Sequence, residues 1–193
     1  TALRGHVDGC RDCWNALVET RWAIAASSRD LLELREFLGP EFRWGIDSSS
    51  LLVKDWTASD RKTTAQVHSF YRDTKWYLYN LVLWEASGQR PKYVTSAGTL
   101  LDRHRIHTVL DFGAGVGTDA LRFCELGLSV LAVDFDNDAS SFLRWRSAQR
   151  GYQISFVGVD ELQSTFLKAD MIWALDVLAH LPQPVETVAS LLS

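Results

Sequence analysis

Apolar residues recur at helical spacing through the first 105 residues and predict an all-helical segment. Steps of three and four residues place the apolar side chains on one helical face. This pattern predicts helices over about residues 8–26, 27–38 and 67–85, with a shorter helix after Pro91. The 67–85 segment is expected to be one long helix that ends near Gly88.

Capping signals suggest where these helices begin and end. Ser27 with Asp30, and Thr57 with Asp60, have the spacing of a capping box, and Gly39-Pro40 is a good helix terminator. Residues 41–56 contain a run of three serines and are expected to be irregular.

The pattern changes after Arg105, where short continuous apolar runs alternate with helical segments. Four such runs predict strands near residues 107–112, 129–134, 154–157 and 170–175. Pro184 is well suited to the first position of a last helix. Strands that are buried on both faces read as continuous apolar runs, and their alternation with helices predicts a parallel sheet in an α/β fold.

A glycine-rich turn follows the first predicted strand and opens a helix. Gly113, Gly115 and Gly117 let the backbone turn sharply and let a ligand approach without a Cβ in the way. A dinucleotide fingerprint needs glycine at the sixth position, which here is Thr118. Asp111, two residues before the turn, favours a cationic group and would repel a pyrophosphate.

Two further carboxylates follow predicted strands. Asp134 ends the second strand, where an acid can accept both hydroxyls of an adenosine ribose. Asp160 follows the third strand, where a carboxylate can accept from an adenine amino group. The alternative for each is an ordinary solvated acid at the end of a strand.

Three motifs in order resemble those of class I S-adenosylmethionine-dependent methyltransferases. VLDFGAGVG, AVDFD and DMIWALDVLAHL are similar to motifs I, II and IV of that family, and the resemblance covers about residues 105–193. It implies a Rossmann-like domain that binds S-adenosylmethionine and releases S-adenosylhomocysteine. The implied cofactor residues are Asp111, Gly113, Ala114, Gly115 and Gly117 around the methionine part, Asp134 at the ribose, Phe135 and Asp160 at the adenine, and Leu175 with Asp176 on the substrate side.

The family's sheet normally has seven strands, whereas this chain reaches only the helix after the fourth. We therefore expect the fourth strand to be an exposed apolar edge. A longer protein, a second chain or another copy of this chain is expected to complete the sheet.

The chain is expected to divide into a helical domain of residues 1–104 and the cofactor-binding domain of residues 105–193. In such enzymes an N-terminal helical part commonly covers the cofactor. Residues 70–81 could supply that lid, with Tyr71 or Tyr77 touching the cofactor. The alternative is an amphipathic core helix. Six of the eight tryptophans precede residue 100, which fits either a core of large rings or an aromatic substrate pocket.

Three further side chains have possible chemistry. His180 could act as a general base near neutral pH, although packing and helix capping are the simpler roles. Cys10 and Cys13 form a C-x-x-C pair that could serve metal or redox chemistry, or could be ordinary thiols. Since further ligands at suitable spacing are lacking, no metal site is predicted.

Composition narrows the functional classes. The 193 residues suit one domain with a helical extension, and the net charge of −4 argues against a nucleic-acid partner. Three cysteines fit a reducing compartment, and no apolar run approaches the ~18 residues of a membrane span. These features, with no visible signal peptide, favour a cytoplasmic protein.

The sequence therefore predicts methyl transfer from S-adenosylmethionine to a small-molecule or peptide acceptor. One alternative is a non-catalytic module that binds the cofactor or another chain. Another is a nicotinamide oxidoreductase, which Thr118 and Asp111 disfavour.

Overall fold

The computed structural model describes residues 10–164 and 168–192. Six helices of this part precede the first strand: α1 (Arg11–Ala25), α2 (Arg29–Leu38), α3 (Ser48–Ala58), α4 (Thr64–Asp73), α5 (Trp76–Ala86) and α6 (Tyr93–His104). None of the helices within these ranges has the length and apolar character needed to cross a membrane.

The expectation of one long helix over residues 67–85 is wrong, because two helices occupy this stretch. Thr74 has an extended backbone with φ −77° and ψ 119°, so α4 ends before it and α5 begins at Trp76. The capping box belongs to Thr63 and Gln66, whose side chains satisfy each other's backbone N–H groups. The apolar period continues across the break, which is why the pattern alone did not reveal it.

Three other predictions for the helical segment are also wrong. Residues 41–56 are not irregular throughout, since Asp47 accepts a hydrogen bond from the backbone N–H of Ser50 and caps α3. Thr57 consequently lies inside α3 and cannot cap a helix. The cap of α2 is Ser28, one residue later than predicted, and its hydroxyl accepts from the backbone N–H of Asp30.

The predicted parallel α/β sheet is confirmed. Its strands are β1 (Thr108–Phe112), β2 (Ser129–Asp134), β3 (Ser155–Gly158) and β4 (Met171–Trp173), in the order β3-β2-β1-β4. The helices α7 (Thr118–Glu125), α8 (Asp138–Gln149) and α9 (Pro184–Leu191) follow β1, β2 and β4 in the chain. All three strand pairings are parallel, with Thr108 opposite Ser129 and Val109 opposite Met171.

The strand order creates a crevice at the carboxyl end of β1. From β1 the chain moves outward to β2 and β3, and β4 then returns to the other side of β1. Such a reversal is where open α/β sheets bind ligands. The residues after β1, β2 and β4 therefore meet at one edge of the sheet.

β4 forms one edge of the described sheet, as expected, and has only three residues. The carboxylate of Asp170 accepts from the backbone N–H groups of His107 and Thr108, both at 2.8 Å, and fixes the start of the strand. Completion of the sheet by another chain stays a prediction.

The hydrophobic interior continues across the predicted boundary at residue 104. One cluster joins Trp22, Leu34 and Val82 of the N-terminal helices to Val116 and Phe142 of the sheet segment. Helix α6 lies before the boundary, yet its Val94 and Leu101 pack in the cluster that contains the sheet residues Val109 and Ala132. The helical segment is thus packed against the sheet segment through shared apolar surface.

A buried ionic network also joins α2 to α8. Arg146, 1% exposed, donates to Glu33 at 3.1 Å and to Asp30, while Arg150 donates to the same two carboxylates at 2.8 and 2.9 Å. Burial alone would raise the pKa of both carboxyls. The neighbouring guanidinium charges outweigh that effect and hold the pKa of Asp30 and of Glu33 below their usual values.

Candidate functional site

A cavity of about 630 Å³ opens at the carboxyl edge of the sheet, between the glycine turn and the N-terminal helices. Ligand sites in proteins commonly measure about 300–1,000 Å³. Side chains from both halves of the chain line it, including Arg21, Ser49, Tyr71, Tyr77, Asn80, Trp84, Arg90, Asp111, Asp134, Phe135 and His180. The helical segment therefore supplies one wall and the strand ends supply the other.

The turn after β1 is held in a conformation that favours glycine at three positions. Gly113, Gly115 and Gly117 have φ of 77°, 53° and 77°. A Cβ on Gly113 would lie 2.5 Å from Val177, and one on Gly115 would lie 3.0 Å from Leu81. Both Gly113 and Gly115 line the cavity, so a side chain at either position would take up space where a ligand could lie against the backbone.

Gly117 has a structural role, because a Cβ there would lie 2.6 Å from the buried side chain of Leu143. We expect Gly117→Ala to destabilise the fold by about 2–5 kcal/mol, combining the left-handed backbone with overpacking. The matched control is Gly127→Ala, where φ is 81° but nothing lies within 4 Å of the new Cβ. Urea unfolding of both variants measures the difference in the free energy of unfolding. Equal losses would show that the Leu143 side chain moves aside without cost, and would contradict the prediction.

Asp111 places at the cavity a carboxylate that has one oxygen without a hydrogen-bond partner. It is 4% exposed, and its Oδ2 atom has no hydrogen-bond partner. Burial, and then the negative charges of Asp119 and Asp134, raise the pKa of Asp111 well above its usual value. A cation at this point of the cavity would lower the free energy of the charged form.

Asp119 lies beside Asp111 but is fully paired. Both of its oxygens accept from Arg90 at 2.7 Å, and one also accepts from the Trp173 indole at 2.7 Å. The guanidinium of Arg90 lies 5.4 Å from the Trp84 ring centre. This cluster could not be predicted from the sequence, because its members come from α5, α7, β4 and the segment between α5 and α6.

Asp134 is positioned by the glycine turn. Its two oxygens accept from the backbone N–H groups of Gly115 and Phe135, each at 2.6 Å. Burial raises the pKa of Asp134, and these two hydrogen bonds oppose that shift. Because each carboxylate oxygen has two lone pairs, both atoms can still accept from a ligand hydroxyl.

Phe135 presents its ring at the cavity, where His68 packs against it at 5.2 Å between ring centres. The guanidinium of Arg72 lies 5.4 Å from the Phe135 ring centre and pairs with Asp160 at 2.8 Å. Asp160 is exposed and does not line the cavity. It is connected to the cavity through Arg72 and Phe135, and its adenine role stays a prediction.

Tyr71, Tyr77 and His180 meet although they come from three elements. The Tyr71 hydroxyl lies 3.0 Å from Nδ1 of His180, and the two tyrosine ring centres are 5.5 Å apart. The Tyr77 ring packs against Tyr71, and burial raises the pKa of both phenols. These three groups form a continuous row on the cavity wall that the sequence did not predict as a unit.

The segment after β4 completes the wall with Leu175, Asp176 and Val177. Asp176 has a φ of 52°, which is uncommon for a residue other than glycine. Such backbone strain is often found next to binding sites.

Most of the predicted site residues therefore meet at one cavity. The cavity is lined by Asp111, Gly113, Ala114, Gly115, Asp134, Phe135, Leu175, Tyr71, Tyr77 and His180. Gly117 supports the turn from beneath and Asp160 lies outside. Arg21, Ser49 and Asn80 also line the cavity and were not predicted from the sequence. Ser49 lies in the stretch that was expected to be irregular, and Arg21 and Asn80 lie on two different helices whose packing no local pattern reveals.

Cys10 and Cys13 lie at the start of α1, away from the cavity lining. Within the part of the chain that the structure describes, no group of three or more His, Cys, Asp or Glu side chains could hold a metal ion.

Residues 110–193 match the family model described as a methyltransferase domain. A search of curated protein sequences gives no match.

Several solved structures have low overall similarity to the chain. Magnesium protoporphyrin IX methyltransferase from Synechocystis is 18% identical with a TM-score of 0.41, over 76% of this chain and 69% of that one. Human N-acetylserotonin methyltransferase is 18% identical with a TM-score of 0.35, over 89% and 42%. A structure from work on thioacetal formation during echinomycin biosynthesis is 29% identical with a TM-score of 0.37, over 42% and 36%. The chain thus spans less than half of several of the structures it matches.

Proposed function

We propose that the chain binds S-adenosylmethionine in the cavity and transfers its methyl group to a small-molecule or peptide acceptor, a function supported by the match of residues 110–193 to a methyltransferase domain. The single observation that carries the proposal is the buried, unpartnered Oδ2 atom of Asp111 beside the glycine turn.

The residues around the cavity fit this cofactor. S-adenosylmethionine carries an ammonium and a sulfonium, and Asp111 supplies a carboxylate that gains a partner when a cation approaches. Gly113 and Gly115 leave the backbone open on the same side. The carboxylates of Asp111, Asp119 and Asp134 would repel a pyrophosphate, which disfavours a nicotinamide dinucleotide here.

Each wall residue has a definable task. Asp134 is placed to accept from ribose hydroxyls, and the Phe135 ring offers a flat apolar surface for adenine. When bound, the cofactor supplies an activated methyl group for in-line displacement by the acceptor. The chain's own contribution is alignment and exclusion of water, which the two facing walls of the cavity support.

His180 has a suitable position to receive the proton that an acceptor loses. Its Nδ1 atom is engaged with Tyr71 at 3.0 Å, which orients the ring. A neutral imidazole held in this way can act as a general base, whereas a purely positioning role would leave the rate independent of its protonation.

Calorimetry tests the cofactor assignment. We expect micromolar or tighter binding of S-adenosylmethionine and none of NAD. Asp134→Ala should weaken binding at least about tenfold, since hydrogen bonds to a charged group contribute about 1.5–3 kcal/mol each. The control Asp136→Ala removes an exposed neighbouring acid that pairs with Arg144. Preference for NAD, or equal binding by a folded Asp134→Ala variant, would contradict the proposal.

The second candidate function is binding without catalysis. It is favoured by the described sheet, which has four strands with β4 at its edge. Formation of S-adenosylhomocysteine in the presence of acceptors separates the two. Tight cofactor binding with no turnover of any acceptor would support the binding module.

A further inference from the structure

Two arginines line the cavity, and they differ in how their charges are compensated. Arg90 forms a bidentate ion pair with Asp119 at 2.7 Å. Arg21 instead donates to neutral oxygens, those of the Gln89 amide at 2.7 Å and the Ser49 hydroxyl at 3.4 Å. Among the described residues, none places a carboxylate within 4.0 Å of the Arg21 guanidinium.

The charge of the Arg21 guanidinium is not neutralised by its surroundings and can therefore interact with a ligand. Burial lowers the pKa of Arg21. The negative charge of the more distant Asp47 acts in the opposite direction but does not cancel this decrease. Asp47 is itself engaged, because it accepts from the Trp14 indole and from the backbone N–H of Ser50. A half-buried guanidinium of this kind offers a planar fork of donors that matches a carboxylate.

Helix α5 connects the surroundings of the Arg21 guanidinium to the other residues that line the cavity. Tyr77, Asn80, Leu81 and Trp84 follow helical spacing and all line the cavity. Asn80 accepts from the Ser49 hydroxyl at 2.9 Å, and Ser49 in turn accepts from Arg21. We call these three residues the Arg21 group. Asn80 lies three residues after Tyr77, about 4.5 Å along the helix axis.

The same helix face relates the Arg21 group to the cofactor turn. Leu81 adjoins Asn80 in sequence and approaches the position where Gly115 would carry a Cβ. The Arg21 group therefore belongs to the wall formed by the N-terminal helices, whereas the glycine turn belongs to the wall formed by the strand ends. The Arg21 group lies about one helical turn from Tyr77, which packs against Tyr71.

We propose that Arg21, Ser49 and Asn80 form a subsite for the carboxylate of the methyl acceptor, and that this acceptor is a small aromatic acid. The proposal rests on the proposed function, since it places the acceptor on the wall facing the cofactor. Arg21 binds the carboxylate in a bidentate manner, and Asn80, whose oxygen accepts from Ser49, adds its amide N–H₂ as a donor. The rings of Tyr77 and Trp84 flank the aromatic body. This arrangement directs the acceptor's nucleophile toward the cofactor side of the cavity.

The experiment measures binding of the three hydroxybenzoate isomers and their neutral amides to the full chain by calorimetry. It is run with and without saturating S-adenosylhomocysteine. We expect at least one acid to bind about tenfold or more tightly than its amide. Arg21→Gln should remove that preference, and Arg21→Lys should retain part of it. The control Arg11→Gln removes an exposed charge from the same helix and should change nothing.

Each outcome of this experiment either supports or contradicts the proposed carboxylate subsite. Equal binding of acid and amide, unchanged preference in a folded Arg21→Gln variant, or no binding of any acid would overturn the subsite. If S-adenosylhomocysteine does not bind, the proposed function fails, and the acid–amide comparison without it still decides the subsite. Preference of a peptide over every acid would also count against it. Circular dichroism confirms that each variant is folded.

Discussion

A chain cut to residues 91–193 should fail to fold and should bind no S-adenosylmethionine. The cut retains α6 and every described strand, so any loss comes from α1 to α5 and from the segment that follows them, which includes Arg90, the partner of Asp119. The cut removes the helices that pack against Val116 and Phe142 and exposes both side chains to water. In the full chain they are 2% and 0% exposed. Each large apolar side chain returned to water loses about 1.5–3 kcal/mol, against a total stability of about 5–15 kcal/mol.

The same cut removes Asp30 and Glu33, the carboxylates that compensate the buried Arg146. It also removes the wall formed by Tyr71, Tyr77 and Asn80. Circular dichroism and cofactor calorimetry on the truncated and full chains measure the outcome. A folded truncation that binds cofactor weakly would instead support the separate lid domain expected from the sequence.

The strands and the glycine turn could be predicted because their local signals are strong. Buried parallel strands are continuous apolar runs, and Gly113 and Gly115 mark a turn that few other residues can adopt. Helix boundaries in the first half were harder to predict. Thr74 interrupts a helical period that continues on both sides, and the run Ser48–Ser50 lies inside a helix because Asp47 caps it.

The site was predictable where its residues lie at the carboxyl ends of strands, since strand ends meet at one edge of a parallel sheet. Asp111 and Asp134 are of this kind. Arg21 and Asn80 come from different helices whose packing no local pattern reveals. The pairing of Arg90 with Asp119 likewise depends on how the segment before α6 lies against α7.

The double variant Asp30→Asn with Glu33→Gln should lower the free energy of unfolding at pH 7 by about 3–5 kcal/mol. It keeps the shapes of both side chains but leaves the buried Arg146 without an opposing charge and leaves Arg150 only Glu125, at 3.6 Å. Removing one partner of a buried ion pair is strongly destabilising because it leaves an uncompensated charge. Urea unfolding measures the loss. Glu36→Gln, an exposed change on the same helix, is the control and should have little effect.

Acidification gives an independent measurement of the same network. A carboxyl whose pKa is lowered in the folded state stabilises the fold above its unfolded pKa, and that contribution is lost as the pH falls through the folded value. Asp30 and Glu33 both have lowered pKa values relative to 3.8 and 4.5. The wild-type chain should therefore lose stability as the pH falls below about 4.5, and the double variant should lose less over the same interval.

The network also reaches the glycine turn, because Arg146 donates to the backbone carbonyl of Val116 at 3.2 Å. Loss of the carboxylates should therefore weaken cofactor binding as well as the fold, while the Glu36→Gln control keeps both. If the double variant is as stable as the wild type and shows the same acid dependence, the ion pairs do not hold α2 against α8. The shared apolar cluster would then account for the packing by itself.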